Sequence, residues 1–123
     1  MTSGHKNLSF TRRLGFALSG LAHALRAERS LRMQLACLLV VAAALVYLQP
    51  PAVWWALVSL CAAGVFAAEL FNTAIEHLAD HVQPDLHPQI RIVKDCAAAA
   101  VLIASLIAIA IGVSLGVHLC LTH

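Results

Sequence analysis

This chain has little charge. Of its 123 residues, 11% are Asp, Glu, Lys or Arg and 61% are hydrophobic. A soluble domain carries about 25% charged and about 45–50% apolar residues. No Lys or Arg falls between Arg32 and Arg91, and none follows Lys94. The stretch "AVWWALVSLCAAGVFAA", residues 52–68, runs for seventeen residues without a charge. Runs of this kind exclude an ordinary soluble domain. The four cysteines, at 37, 61, 96 and 120, lack any metal-ligand spacing. Three of them sit inside apolar runs, so they read as small packing residues with no disulfide. No Walker loop, glycine-rich phosphate loop or metal-finger spacing occurs, and there are no internal repeats. The net charge of +2 implies no more than the attraction of basic residues for acidic lipid. No nucleic-acid partner is expected.

What the chain does have is three long apolar runs. A hydrocarbon core of about 30 Å needs roughly 20 apolar residues in helical form. Spans are expected at about 31–49, 52–71 and 96–120 in one domain covering 1–123. The first, built on "MQLACLLVVAAALVYL" at 33–48, is short and borrows from Leu31. Backbone amides in lipid must be satisfied within their own segment, so the runs become helices. The fold class is an all-α membrane protein. The first run starts more than thirty residues in and two spans follow it, so no cleavable targeting segment is expected. The loop "QPP" at 49–51 carries no cation, nor does the tail after Asp95. The positive-inside rule then puts the N-terminus inside and the C-terminus outside. All six acids, Glu28, Glu69, Glu76, Asp80, Asp85 and Asp95, fall on the inner half.

Ahead of the spans, "RRLGFALSGLAHALRAERSLR" sets Leu14, Leu18, Leu21 and Leu25 at spacings of 4, 3 and 4. That stripe, with Arg12, Arg13, Arg26 and Arg29 beside it, predicts an amphipathic surface helix over about 8–30. Glu28 continues the apolar stripe. Either it pairs with Arg32 four residues on, or something on a neighbouring helix receives it.

The second apolar run ends in "ELFNTAIEHLAD", residues 69–80. Glu69, Asn72, Glu76 and Asp80 are spaced 3, 4 and 4, which sets all four on one face of one helix. The helix is expected to continue to about His81, before "QPDLHP" at 83–88 turns the chain. Carboxylates in a line repel one another and cost more as they approach lipid. Together they suit a cation, and Mg²⁺ prefers oxygen ligands with substrate phosphates completing its shell. On the next helix Arg91, Lys94 and Asp95 stand at i, i+3 and i+4. Acids for a metal, bases for phosphate and Glu69 as a base near the lipid suit phosphoryl transfer at an interface. The alternative is a solvated helix end with cross-helix salt bridges.

These motifs resemble the small prokaryotic diacylglycerol kinase family. The resemblance rests on "E-L-F-N-T-A-I-E-x-x-x-D", on "K-D-x-A-A-A-A-V-L", and on "A-L-S-G-L" followed by Glu28 and Arg32. It covers roughly residues 10–112. It implies an ATP- and Mg²⁺-dependent lipid kinase in the bacterial inner membrane, with a cytoplasmic active site shared between the protomers of a homotrimer. By that resemblance Glu69 is the general base, and Glu28 and Glu76 hold the metal. Asn72 orients the site. Asp80, Lys94 and Asp95, with Glu76, His87 and Arg32, bind substrate or nucleotide. Diacylglycerol is the first choice of substrate, giving phosphatidic acid. "NTAIE" and "LHP" at 86–88 look more like the branch that phosphorylates undecaprenol, which stands as the alternative. Met33 stands where a polar residue is common.

Two readings from other classes remain. One is a membrane scaffold whose charges only set helix register. The other is a cation-conducting oligomer, against which the charges all lie on one side. Trp54 and Trp55 read as interface anchors. Ala98, Ala99, Ala100, Gly112 and Gly116 read as surfaces for close helix approach, and Gly20 as a packing site for the surface helix. His5, His77, His81, His118 and His123 form no ligand set and are given no role.

Overall fold

The computed structural model describes residues 9–122; the expected start of the surface helix near residue 8, His5 and His123 lie outside the described residues. The described chain forms four α-helices: α1 Phe10–Ala27, α2 Arg29–Leu48, α3 Ala52–Val82 and α4 Pro88–Thr122. Among the described residues there is no strand.

Each break has a local cause. Ser9 caps α1, its hydroxyl accepting from the Arg12 amide at 3.4 Å. Glu28 leaves helical geometry (φ −111°, ψ 117°) and separates α1 from α2. The guanidinium of Arg32 then donates from Nη1 to the carbonyls of Leu25 at 2.9 Å and Arg26 at 2.8 Å. Those carbonyls belong to the last turn of α1, where a cation is favourable. α2 ends at Gln49 in the left-handed region (φ 48°), and its side chain donates to the Val46 carbonyl at 2.7 Å. Pro50 and Pro51 prevent continuation. α4 begins on Pro88, whose fixed φ suits a first helical position. Nδ1 of His87 accepts from the Gln89 amide at 3.1 Å and caps that start.

Three helices, α2, α3 and α4, are long and apolar enough to cross a membrane. Only 11%, 6% and 6% of their most apolar stretches are buried within the chain. Long side chains such as Leu39, Leu60, Ile103 and Val113 remain exposed. This is an integral membrane protein whose apolar sides face lipid or other copies, with no packed soluble core. The buried residues among those described are few: Ala24, Leu31, Leu45, Pro50, Val58, Thr73, Ala79 and Ala97.

The largest helix contact is between α3 and α4, and α2 packs on α3. Lys94 meets Asp80 near the connection, while the rings of Trp54 and His118 lie 5.4 Å apart at the far ends. The pair is therefore antiparallel. α1 packs against α2 and α3. At about 1.5 Å per residue the 31 residues of α3 reach roughly 46 Å, well beyond the hydrocarbon core. The excess amounts to about ten residues, and the polar residues of α3, Glu69, Asn72, Glu76 and Asp80, all lie in the half that ends at Val82.

Two packing expectations find no partner among the described residues of one protomer. A Cβ added at Gly20, Gly112 or Gly116 would meet nothing within 4 Å. These glycines permit no close approach within the protomer. Ala98, Ala99 and Ala100 are exposed as well, and Ala97 is the buried alanine of that run.

Candidate functional site

The acidic stripe of α3 lies where three helices meet. Glu69 is half-buried, and the amide of Gln34 on α2 donates to its Oε1 at 2.9 Å. The Ser30 side chain also faces this carboxylate, and the charges of Glu28 and Glu76 act on it. One turn up, the amide of Asn72 donates to Glu76 Oε1 at 3.4 Å. A carboxylate oxygen can only accept, so both amides must turn their nitrogens towards the acids. Each then leaves its carbonyl oxygen buried and without a partner: Gln34 Oε1 and Asn72 Oδ1.

Glu28 is received by α3: its Oε1 lies 3.6 Å from His77 Nε2. His77 also stands edge-on to His23 of α1, with ring centroids 5.9 Å apart. Pairing of Glu28 with Arg32 is not what the structure shows, because Glu28 sits at the break and the guanidinium caps α1. At the outer end of the stripe, Lys94 Nζ lies 2.6 Å from Asp80 Oδ1, joining α4 to α3. Arg91 and Asp95 pair at 3.3 Å along α4, both well exposed.

Glu28, Glu69, Asn72 and Glu76 thus form one group, and Asp80 and Lys94 a second group further out. Asp95 is turned along its own helix, His87 caps α4, and Arg32 caps α1. Reading the sequence had missed Gln34, Ser30, His23 and His77. Gln34 did carry a signal: it is an amide at the start of an otherwise apolar span, directly after Met33.

Among the described residues, no three His, Cys, Asp or Glu side chains converge closely enough to hold a metal by themselves. The donor set is still all oxygen, with an unpartnered amide carbonyl beside the acids. That chemistry suits a hard divalent cation whose shell is completed by phosphates.

Residues 15–115 match the family described as prokaryotic diacylglycerol kinase. An undecaprenol kinase of Bacillus subtilis is 42% identical over 53 residues, which are 43% of this chain and 43% of that protein. A diacylglycerol kinase of Synechocystis sp. is 35% identical over 94 residues, 74% of this chain and 53% of that protein. The chain thus spans about half the length, or less, of these curated relatives.

Proposed function

Since this chain belongs to the prokaryotic diacylglycerol kinase family, we propose that it moves the γ-phosphate of ATP to the hydroxyl of a membrane lipid alcohol. The observation that carries the reading is the placement of Glu69. It is the acid nearest the apolar span, half-buried and held by a neutral amide. A base in that position meets an alcohol whose chain lies in lipid and whose hydroxyl lies at the boundary.

Glu69 accepts the hydroxyl proton as the alcohol oxygen bonds to the γ-phosphorus and the bond to the bridging oxygen of ADP breaks. Glu28 and Glu76 would hold Mg²⁺, with the carbonyl oxygen of Asn72 available beside them. When bound, that ion neutralises phosphate charge. Lys94, held by Asp80 in the structure, turns to the phosphates when the nucleotide arrives. Asp80, Asp95, His87 and Arg32 line the nucleotide's side. The exposed faces at Gly112 and Gly116 leave room for further copies, and a homotrimer with shared sites is the assembly this reading takes. The clustering of cations before Met33 and at Arg91 and Lys94 favours a cytoplasmic site in a bacterial inner membrane.

Diacylglycerol is the first substrate in this reading. Undecaprenol is the second, favoured by the stretch that is 42% identical to an undecaprenol kinase and by "NTAIE" and "LHP". The test is transfer from labelled ATP in mixed micelles containing Mg²⁺, with both alcohols side by side. The faster acceptor identifies the substrate, and transfer to neither refutes the kinase reading.

A further inference from the structure

A second stripe runs along α3 beside the acidic one. Leu70, Thr73, Ala74 and His77 share a face about a quarter-turn round from Glu69, Asn72 and Glu76. That face looks across a cleft at α1, where Leu21, His23 and Ala24 form the opposite wall. His77 stands at the end of this stripe nearest Val82.

Glu28 reaches the same ring from another element. It occupies the break between α1 and α2 with extended backbone, and its side chain caps none of the amides of α2. An acid at a helix start commonly spends its oxygens on those amides. Here the carboxylate crosses to α3, with Oε1 3.6 Å from His77 Nε2. Among the described residues, His77 is the only basic side chain within ion-pair distance of Glu28. The His77 ring is confined in turn by His23, which meets it at 83° with centroids 5.9 Å apart. His23, His77 and Glu28 therefore form a row that passes from α1 to α3 and on to the start of α2. The row does little for stability, because the side chains of His77 and Glu28 are 50% and 30% exposed. What it supplies is direction: engaging one carboxylate oxygen decides where the other is offered.

We propose that His77 is a positioning residue for Glu28: its Nε2–H faces Oε1 and leaves Oε2 free for the divalent cation, while His23 keeps the His77 ring from turning away. This rests on the kinase reading and deepens it by naming what orients one of its metal-binding acids. His77 touches neither the ion nor the substrate, and no proton moves.

The test measures metal binding apart from turnover. The full chain in mixed micelles is titrated with Mn²⁺ beside a non-hydrolysable ATP analogue, and free Mn²⁺ is read by electron spin resonance. Outer partners of ligating carboxylates carry about tenfold to a hundredfold in metal affinity, so His77→Ala should weaken Mn²⁺ by about tenfold or more while the melting temperature stays at the parent's. His77→Gln returns an amide N–H near the place of Nε2 and should recover most of the loss. If His77→Ala fails to assemble, His77→Phe keeps a ring against His23 without a donor and should show the same loss. Double variants identify the path. In a Glu28→Gln chain, His77→Ala should cost little further, because its target is gone; in a Glu76→Gln chain it should cost what it does in the parent. The reverse pattern assigns His77 to its neighbour Glu76 and overturns the proposal. So do an unchanged Mn²⁺ affinity, a loss that His77→Gln does not recover, and a loss that comes with a lower melting temperature, which marks a merely structural role. A parent chain that binds no Mn²⁺ overturns the metal assignment and the proposal with it. Labelled phosphate transfer tests the kinase reading separately: a parent that phosphorylates no alcohol defeats that reading, whereas an active parent whose His77→Ala variant binds Mn²⁺ normally defeats the role of His77 alone.

Discussion

Replacing Glu69 by Gln separates chemistry from structure in this site. The new side chain has the same shape, and the Gln34 amide can turn over to accept from it. The cross-helix hydrogen bond of 2.9 Å then survives with its direction reversed. The substitution also removes one of three carboxylates that act on one another. The folded state should lose nothing, and the melting temperature and the size of the detergent complex should match the parent chain. Turnover should not survive. A general base contributes about 10²–10⁴ in rate, or about 3–5 kcal/mol of barrier, and a carboxamide cannot take the proton. Glu69→Ala is the contrasting case. It leaves both ends of the Gln34 amide without partners, at a cost of about 1–3 kcal/mol, so it should lose stability as well as rate. The assay is labelled phosphate transfer to diacylglycerol and undecaprenol, run beside thermal melts and light scattering. A Glu69→Gln protein that retains a rate within about tenfold of the parent refutes the assignment of the base.

Other substitutions probe the rest of the cluster. Glu28→Ala or Glu76→Ala should raise the Mg²⁺ concentration needed for half-maximal rate by about tenfold or more; unchanged Mg²⁺ dependence in both variants would remove these residues from the metal site. Asp80→Asn breaks an ion pair whose carboxylate side chain is 62% exposed, so the free energy of unfolding should fall by less than about 1 kcal/mol, and a larger loss would show the pair to be structural. Lys94→Ala should raise the KM for ATP, while a changed KM for the lipid alone would place Lys94 elsewhere. Arg32→Ala removes the donor to the Leu25 and Arg26 carbonyls, so hydrogen exchange in α1 should accelerate while α3 and α4 stay protected; uniform acceleration would contradict the capping role.

Much of the architecture was legible in the residues because it is decided locally. In hydrocarbon a backbone has no water to fall back on, so apolar runs become helices and end where prolines or polar residues stop them. That logic located the break at "QPP", the turn at "QPDLHP" and the continuation of α3 beyond the span, observed to Val82. Helical spacing likewise placed Glu69, Asn72, Glu76 and Asp80 on one face of α3, since such a face follows from 3.6 residues per turn and needs no partner.

Partners are another matter. That Glu28 meets His77, that Gln34 holds Glu69, and that Lys94 reaches Asp80 depends on the rotation and depth of one helix against the next. Side-chain packing between helices sets those quantities, and periodicity within one helix does not report them. The extended backbone at Glu28 turned a plausible i,i+4 pair with Arg32 into a contact with α3 and freed the guanidinium to cap α1. Gln34 was one amide at the start of an apolar run until the fold set it beside Glu69 and left its carbonyl oxygen without a donor. The sequence by itself determined the helices, the breaks at "QPP" and "QPDLHP" and the acidic face, because these follow from short-range geometry and the demands of lipid on the backbone; the break at Glu28, inside a surface helix expected to reach about residue 30, was not legible. Only the tertiary structure decided which groups share that face, because a hydrogen bond across helices requires two positions to coincide in space.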